Sequence, residues 1–166
     1  MSSGCAECGL DFELLTIDDA ADIIDGIGPR YRAAFAVVGD EHERLRAKPD
    51  PGVWSSLEYI AHLRDSVRYH GALTNRALQE NRPEFATPDP DAIAQNEGYN
   101  DADPAEVLDS LEQQSARFAA RARSLSDDDL DRVVVRAGNE ITVRYMVCNV
   151  AHEGHHHLQD VQRLLA

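Results

Sequence analysis

The chain has 166 residues and an ordinary apolar fraction of 43%, which suits one domain with its own hydrophobic core. Asp and Glu outnumber Lys and Arg by 30 to 16, so the net charge is −14 and the surface repels phosphate backbones and anionic lipid. With no basic stripe and no apolar stretch of membrane-spanning length, the composition predicts neither nucleic-acid nor membrane partners. No secretory leader pattern is present, and the three cysteines are an odd number, which predicts reduced thiols and a cytoplasmic location.

The sequence divides into a tail, residues 1–15, and a single predicted domain, residues 16–166. Within the domain, apolar residues recur at helical spacing in four long segments separated by turn-rich breaks. Thr16 caps the first helix, which glycine and proline interrupt before it resumes near Arg30 and continues to Lys48, where two prolines end it.

The other three helices are marked by signals at their N-termini. Ser55 and Glu58 form a capping box for a second helix that runs to about Glu80. Asp103 followed by proline opens the third helix, and Thr142 caps the fourth, which continues to residue 166. Four helices with apolar stripes predict an all-α four-helix bundle, and two long connections allow a topology other than up-down-up-down.

Two segments between the helices are predicted to be irregular. Residues 81–101 contain three prolines, and a loop of that length in a compact domain is commonly a wall or lid of a functional site. Residues 126–139 are acidic, with a short strand predicted at 133–135.

Four of the seven histidines lie within the six residues from 152 to 157. His152 and His156 are four residues apart, so their rings project from one helix face and can bind one metal ion. His62 lies on an inward stripe of the second helix, where a lone histidine is ordinarily a core residue; the facing pair makes it the third candidate ligand. The sequence therefore predicts a metal site of these three histidines, with a solvated histidine cluster as the alternative.

His-Glu-x-x-His is also the signature of zinc metalloproteases, in which the glutamate is the general base. That interpretation fails here because the third protease ligand commonly lies well downstream. Gln159 and Gln162 stand where the extended signature requires glycine and histidine. A chain of 166 residues also leaves little room for a cleft between two subdomains.

Two stretches carry a further signal: Trp54-Ser55-x-Leu57-Glu58-Tyr59-x-x-His62-x-Arg64-Asp65, and, after Thr142-Val143, His152-Glu153-x-x-His156-His157-x-x-Asp160-Val161. In combination they resemble the DinB-like family of metal-binding bundles, and the Cys5-x-x-Cys8-Gly9 start is similar to an actinobacterial branch of it. The resemblance implies an up-down-down-up bundle in which His62, His152 and His156 hold zinc or a similar ion. That branch commonly reads His-Asp-Pro-x-His-His, so this chain keeps the ligand spacing but changes the neighbouring residues.

Characterised members of the family include thiol-dependent S-transferases and a mycothiol-dependent isomerase, so the resemblance implies metal-dependent thiol chemistry. Three nitrogen ligands leave an open position, where a metal can bind a cofactor thiol and lower its pKa. The 81–101 loop would then hold the electrophilic substrate. Glu153 is a candidate proton shuttle or a residue that orients a ligand, while Cys148 and His155 lie close enough to line the pocket or ligate.

The leading hypothesis is a metal-dependent S-transferase or isomerase acting on a small thiol and an electrophile. The arginine-rich, lysine-poor composition favours mycothiol as the thiol. Zinc is the expected metal, with nickel, iron or manganese as alternatives. A non-catalytic metal- or ligand-binding bundle and a metal-dependent hydrolase are the competing hypotheses.

Two features stay open at this point. Cys5 and Cys8 have the spacing of a zinc knuckle but supply only two of four ligands, so redox-active or incidental thiols fit equally well. The fourth helix also carries an apolar stripe nearly opposite its histidine pair, which needs a cover and predicts a homodimer. The stripe consists of Val143, Val147, Val150, Gly154, Leu158, Val161 and Leu165.

Overall fold

The computed structural model of the chain describes residues 5–11, 14–39 and 41–166. The α-helices are α1 (Ile17–Asp25), α2 (Ile27–Phe35), α3 (Glu43–Arg46), α4 (Ser56–Gln79), α5 (Pro90–Asn96), α6 (Pro104–Arg123), α7 (Asp127–Leu130) and α8 (Val143–Leu165). Short 3₁₀ helices span Ala36–Val38 and Tyr99–Asp101. The strands are β1 (Glu84–Phe85), β2 (Val133–Arg136) and β3 (Asn139–Thr142).

The predicted helix starts are confirmed, because each predicted cap makes its hydrogen bond. Ser55 Oγ accepts from the Glu58 backbone, and the Glu58 carboxylate accepts in turn from the Ser55 backbone, which completes the capping box of α4. The Asp103 side chain caps α6, with proline in its first turn, and Thr142 caps α8. These local signals place the three longest helices within one or two residues of their predicted starts.

The first bundle helix consists of α1 and α2, which follow each other almost directly, and it runs antiparallel to α6. Salt bridges show this direction: Asp22 pairs with Arg123 at 2.6 Å, and Arg32 pairs with Asp109 at 2.9 Å. Residues early in the first helix therefore meet residues late in α6.

The first helix runs parallel to α8. Ile17 packs in the same apolar cluster as Met146, and further along Tyr31 donates a hydrogen bond to the Gly154 carbonyl at 3.0 Å. Both helices therefore advance in the same direction.

Helix α4 runs antiparallel to α8. Leu73, late in α4, packs with Met146, whereas Ser66, earlier in α4, reaches Glu153. With α6 also opposed to the first helix, the order is up-down-down-up, which confirms the predicted fold.

A small three-stranded sheet at one end of the bundle modifies the all-α prediction. β1 pairs with β2 in parallel and β2 pairs with β3 in antiparallel orientation. The predicted strand at 133–135 is thus one strand of a sheet. The 81–101 segment contributes β1 and also forms α5 and a 3₁₀ turn, so it is more regular than a loop.

The structure corrects the predicted course of the first helix. Instead of one helix resuming near Arg30 and continuing past residue 45, the chain leaves helical geometry at Gly39, where φ is +53°. Glycine adopts this left-handed backbone region without the steric cost that a Cβ atom imposes. The continuation is only the one-turn helix α3.

The structure also corrects the argument for a homodimer. The predicted stripe of α8 is buried within this chain, and α1 and α2 pack over it. A Cβ atom on Gly154 would approach Ile27 of α2 to 2.4 Å, which shows how closely the two helices pack. The stripe therefore needs no second subunit. Across the described residues, no helix is long and apolar enough to cross a bilayer.

Candidate functional site

A polar stripe on α4 faces α8 in the middle of the bundle. It consists of His62, Ser66 and His70, which are four residues apart and so lie on one helix face. His70 is only 5% exposed, and its Nδ1 donates to the Ser66 carbonyl at 2.9 Å, because a carbonyl can only accept. In the neutral ring, Nε2 of His70 therefore carries the free lone pair.

Glu153 of α8 lies opposite this stripe, and two neighbours hold its carboxylate. The Ser66 hydroxyl donates to Glu153 Oε2, and Asn149 Nδ2 donates to Oε1 at 2.9 Å. His62 Nε2 lies 3.9 Å from Glu153 Oε2. The carboxylate is thus oriented from both sides, with one oxygen directed at His62.

Burial and charge set the protonation states in this polar core. Burial lowers the pKa of His62 and of His70, although Glu153 opposes the shift at both rings. Burial alone would raise the pKa of Glu153, but His70, Ser66 and His62 together lower it. At neutral pH the cluster therefore holds one carboxylate and two neutral imidazoles.

His157 lies one turn after Glu153, on the same side of α8 as His62. The ring centroids of His157 and His62 are 5.4 Å apart, and those of His157 and Tyr59 are 5.1 Å apart. His157 Nδ1 lies 3.0 Å from Asp160 Oδ2, a contact that directs Nε2 away from this carboxylate. Carboxylate contacts of this kind orient metal-binding histidines.

A cavity of about 760 Å³, here named the α4 cavity, opens beside this cluster. Its walls include His62, His70 and Glu153, and the predicted wall segment 81–101 closes one side. The complete lining is His62, Asp65, Ser66, Arg68, Tyr69, His70, Ala72, Thr87, Pro88, Pro90, Ile93, Glu97, Tyr99, Arg136 and Glu153. The volume lies within the range of small-molecule sites.

Hydrogen bonds fix the 81–101 wall to α4. Tyr99 donates to Asp65 Oδ2 at 2.6 Å, and Arg64 holds the same carboxylate at 2.9 Å. Near the start of α4, the Ser55 hydroxyl donates to Asn100 Oδ1 at 2.6 Å. The wall is therefore fastened at the end that lies nearest His62.

His152 and His156 lie on a neighbouring face of α8, where they meet the N-terminal segment. The ligand atoms of Cys5, Cys8, His152 and His156 all lie within 4.8 Å of one another. Hydrogen bonds from the Cys8 backbone, the His152 side chain and the Glu7 backbone lower the pKa of Cys5 to about 6.

The predicted set of His62, His152 and His156 is only partly brought together. The two histidines of α8 do share a face, as predicted, but His62 lies with Glu153 and His157 instead. Among the described residues, no group of three ligand atoms within 4.8 Å includes His62. The three-histidine site stays a prediction for the metal-bound protein.

The structure also places the secondary candidates. His155 belongs to neither ligand group found among the described residues, and the second group is His156, His157 and Asp160. Cys148 is buried in the core, and burial raises its pKa, which fits a small apolar residue.

Sequence reasoning missed His70 and His157. The signal for His70 was its spacing of eight from His62, which puts both on one face of α4. The signal for His157 was its spacing of four from Glu153. Sequence reasoning interpreted a spacing of four only for His152 and His156, each one residue before its counterpart in the pair of Glu153 and His157.

An up-down-down-up bundle with two histidines of α4 and a carboxylate of α8 in the wall of one cavity defines the class of protein, a four-helix bundle with a polar site between facing helices. The family model of the DinB superfamily matches residues 28–161. The chain therefore belongs to the DinB superfamily.

A solved structure similar to this chain is YfiT from Bacillus subtilis, with a TM-score of 0.81 and 22% sequence identity over 89% of this chain and 85% of that one. YfiT is described as a probable metal-dependent hydrolase with an unusual four-helix bundle topology. At this identity the likeness shows the fold alone. A comparison with curated proteins gives no match.

Proposed function

We propose that this chain is a divalent-metal-dependent enzyme whose reaction takes place in the α4 cavity, with the ion bound beside His62. The observation that carries the proposal is the position of His62 and Glu153, 3.9 Å apart on facing helices at the wall of a cavity of about 760 Å³. A buried carboxylate beside neutral imidazoles in a cleft is a common arrangement at catalytic metal sites.

We assign His62, Glu153 and His157 as the ligands. Glu153 and His157 are four residues apart on α8, the same spacing as His152 and His156, and both lie close to His62: Glu153 Oε2 is 3.9 Å from His62 Nε2, and the ring centroids of His157 and His62 are 5.4 Å apart. The three ligand atoms do not all lie within 4.8 Å of one another, so binding one ion requires side-chain rotation. Two histidines and one carboxylate suit zinc first, with iron, manganese or nickel as alternatives. They also leave open positions for a substrate.

A divalent ion held by these residues would supply Lewis acidity and lower the pKa of a thiol or water bound to it. His70 is the proposed proton acceptor, because it lines the cavity and its Nδ1 is bonded to the Ser66 carbonyl, so that Nε2 carries the lone pair. Ser66 and Asn149 keep the Glu153 carboxylate aimed at His62.

Thiol transfer is the reaction that we favour. The cavity is large enough for a small thiol and an electrophile together. The lining holds two arginines, Arg68 and Arg136, beside the three carboxylates of Asp65, Glu97 and Glu153. Arg68 pairs with Asp65 at 3.3 Å, so Arg136 is the cation that we assign to an acidic substrate. In the reaction the thiol sulfur bonds to the electrophilic carbon, the leaving group departs with its bonding electrons, and the thiol proton passes to His70.

Hydrolysis is the second candidate, since the His62–Glu153 arrangement suits a coordinated water equally well. Protein loaded separately with zinc, nickel, iron or manganese is assayed with an aryl halide plus mycothiol, glutathione or dithiothreitol, and with a nitrophenyl ester plus water. Thiol-dependent loss of the aryl halide supports transfer, and thiol-independent ester cleavage supports the hydrolase instead. Metal binding without either activity would favour the non-catalytic binding bundle.

Variants locate the site. We expect His62→Ala and Glu153→Gln to lower kcat/KM by about 10² or more, because each removes a ligand. Cys148→Ser, away from the cavity lining, is the matched control and keeps wild-type activity. If His157→Ala keeps full activity at saturating metal, our assignment fails. If, in addition, His152→Ala loses activity while Cys8→Ser keeps it, the predicted three-histidine set is favoured.

A further inference from the structure

The N-terminal segment and α8 bring together a second set of metal-binding side chains. Cys5 and Cys8 come from residues 5–11, and His152 and His156 come from α8, far away in sequence. Their four ligand atoms lie within 4.8 Å of one another, and all four residues are half-buried. No step of the proposed reaction uses them.

The cysteine half of this cluster is a tight turn shaped around its two sulfur atoms. The Gly9 amide donates to the Cys5 carbonyl at 2.8 Å, and the Cys5 amide donates to the Leu10 carbonyl at 2.9 Å. Gly9 has φ +75°, a conformation that glycine adopts readily. The backbones of Glu7 and Cys8 hydrogen-bond to the Cys5 sulfur, and that of Leu10 to the Cys8 sulfur. Such donors stabilise thiolates, the form in which cysteine binds metals. At Cys8 burial outweighs the donor and raises the pKa of the free thiol.

The histidine half is also oriented for binding. His156 Nδ1 faces Cys5 Sγ at 3.6 Å, while its Nε2 lies 3.3 Å from Glu7 Oε2 and 3.8 Å from Asp160 Oδ2. A metal-binding histidine typically donates its second ring N–H to a carboxylate in this way. Glu7 lies between the two cysteines in sequence, so the turn itself supplies an orienting group.

We propose that Cys5, Cys8, His152 and His156 form a tetrahedral zinc site that fastens the N-terminal segment to α8. Zn–S bonds of about 2.3 Å and Zn–N bonds of about 2.0 Å place tetrahedral ligand atoms about 3.3–3.8 Å apart. The Cys5–His156 separation of 3.6 Å already lies in this range, and small side-chain rotations bring in the others.

Four protein ligands fill the tetrahedron, so this site is closed and structural, unlike the open site proposed at His62. Two thiolates balance the charge of Zn²⁺, and the histidines bind as neutral rings. Zinc binding by four protein ligands also explains why a short segment with few apolar residues lies against the bundle. Zinc supplies the binding free energy that so small a segment cannot obtain from burial alone.

Cobalt substitution tests the proposal with a readout that does not depend on activity. The full-length protein is stripped with a chelator under reducing conditions and titrated with Co²⁺. We expect an intense thiolate-to-cobalt charge-transfer band, with tetrahedral d–d bands, that reaches its full intensity when one cobalt is bound at this site, and displacement of that cobalt by Zn²⁺. Cobalt bound at the proposed His62 site should add no intensity to the charge-transfer band. Cys5→Ser and Cys8→Ser should each weaken the charge-transfer band by about half or more, and His156→Ala should shift the d–d bands.

Two controls separate this site from the proposed catalytic one. Cys148→Ser should keep the full charge-transfer band, because Cys148 is buried elsewhere in the core. His62→Ala should also keep it while losing activity, so failure of one proposal leaves the other standing. A charge-transfer band of full intensity in Cys8→Ser, or one lost in Cys148→Ser, would overturn the zinc site.

Thiol alkylation of the wild-type protein gives a second readout, which needs no variant and so remains available if the variants fail to fold. In the wild-type protein, bound zinc should slow alkylation of Cys5 and Cys8 at least tenfold relative to the stripped protein, as read from peptide masses. Equal alkylation rates with and without zinc, or a Cys5–Cys8 disulfide that persists under reducing conditions while zinc is present, would refute the assignment.

Discussion

Two faces of α8 carry the same spacing of side chains and differ in what lies opposite them. His152 and His156 face the two cysteines of the N-terminal segment, whereas Glu153 and His157 face His62 beside the α4 cavity. The two pairs are offset by a single residue, which is a rotation of about 100° around the helix. One helix can therefore present a closed, sulfur-containing ligand set on one face and an open set on the next.

A third face of α8 is apolar, and its packing fixes the directions in which the other two faces point. Gly154 lies against Ile27, and its carbonyl accepts a hydrogen bond from Tyr31. Leu158 and Val161 continue this buried face. Because α1 and α2 lock this face in place, the rotation of α8 is set, and with it the direction of both ligand pairs.

The largest expected effect is the loss of zinc-linked stability on the face of His152 and His156. A ligand present at about 1,000 times its Kd stabilises the folded state by about 4 kcal/mol. We expect chelation to lower the free energy of unfolding of the wild-type protein by about this amount, measured by urea denaturation with and without excess zinc.

The same measurement on two variants compares the faces. Cys8→Ser should show most of this loss without chelation and little further change on adding the chelator. In His62→Ala, chelation should still lower the free energy of unfolding by most of the wild-type amount. The open site at His62 holds its ion through fewer protein ligands and so contributes less to stability. Equal chelator sensitivity in Cys8→Ser and the wild-type protein would show that the stabilising metal binds elsewhere.

A substitution at the third face should have the next largest effect. Gly154→Ala places a Cβ atom 2.4 Å from Ile27 Cδ1, and the buried Ile27 has little room to move. Overpacking of this kind costs about 1–3 kcal/mol, against a gain of about 1 kcal/mol in helix propensity. We expect a net loss of up to about 2 kcal/mol in the free energy of unfolding.

Gly71→Ala in α4 is the matched control, because its Cβ would meet only Phe118, at 3.7 Å. It should stabilise the protein by up to about 1 kcal/mol through helix propensity. Ile27→Val in the Gly154→Ala background should restore part of the loss by removing the clashing Cδ1 atom. A Gly154→Ala variant as stable as Gly71→Ala would contradict the close packing of α2 on α8.

The sequence predicted those features that local chemistry encodes. The caps Ser55, Asp103 and Thr142 gave the starts of three helices, and the prolines of the 81–101 segment indicated a wall of the cavity. The position of the N-terminal segment could not be derived in the same way, because seven residues without periodicity carry no signal for the distant helix face that they contact.

The site was predicted only in part for a related physical reason. A spacing of four identifies a shared face, but in the run from 152 to 157 two such pairs overlap, and only tertiary packing decides which one faces His62. The close packing of Gly154 against Ile27 fixes the rotation of α8 and so determines which of the two pairs faces His62. A glycine within a helix gives no hint of that role until the partner helix is known.

The smallest expected effect concerns pH and the buried His70 behind the open site. Burial lowers its pKa in the folded state, with Arg136 acting in the same direction and Glu153 and the Ser66 carbonyl opposing. The unfolded chain therefore binds a proton at His70 more readily than the folded protein does. Its contribution to stability is complete above the ordinary histidine pKa of about 6.5 and is lost as the pH falls below it.

Metal-free protein should accordingly become less stable to urea between pH 7.5 and pH 5.5, and His70→Gln should reduce this slope. His62 acts in the same direction, since burial lowers its pKa too, so part of the slope should remain in the variant. The exposed His42→Gln serves as the control for the loss of one histidine. An unchanged slope in His70→Gln would mean that His70 is solvated in the metal-free protein. It would then be a poor proton acceptor for chemistry in the α4 cavity.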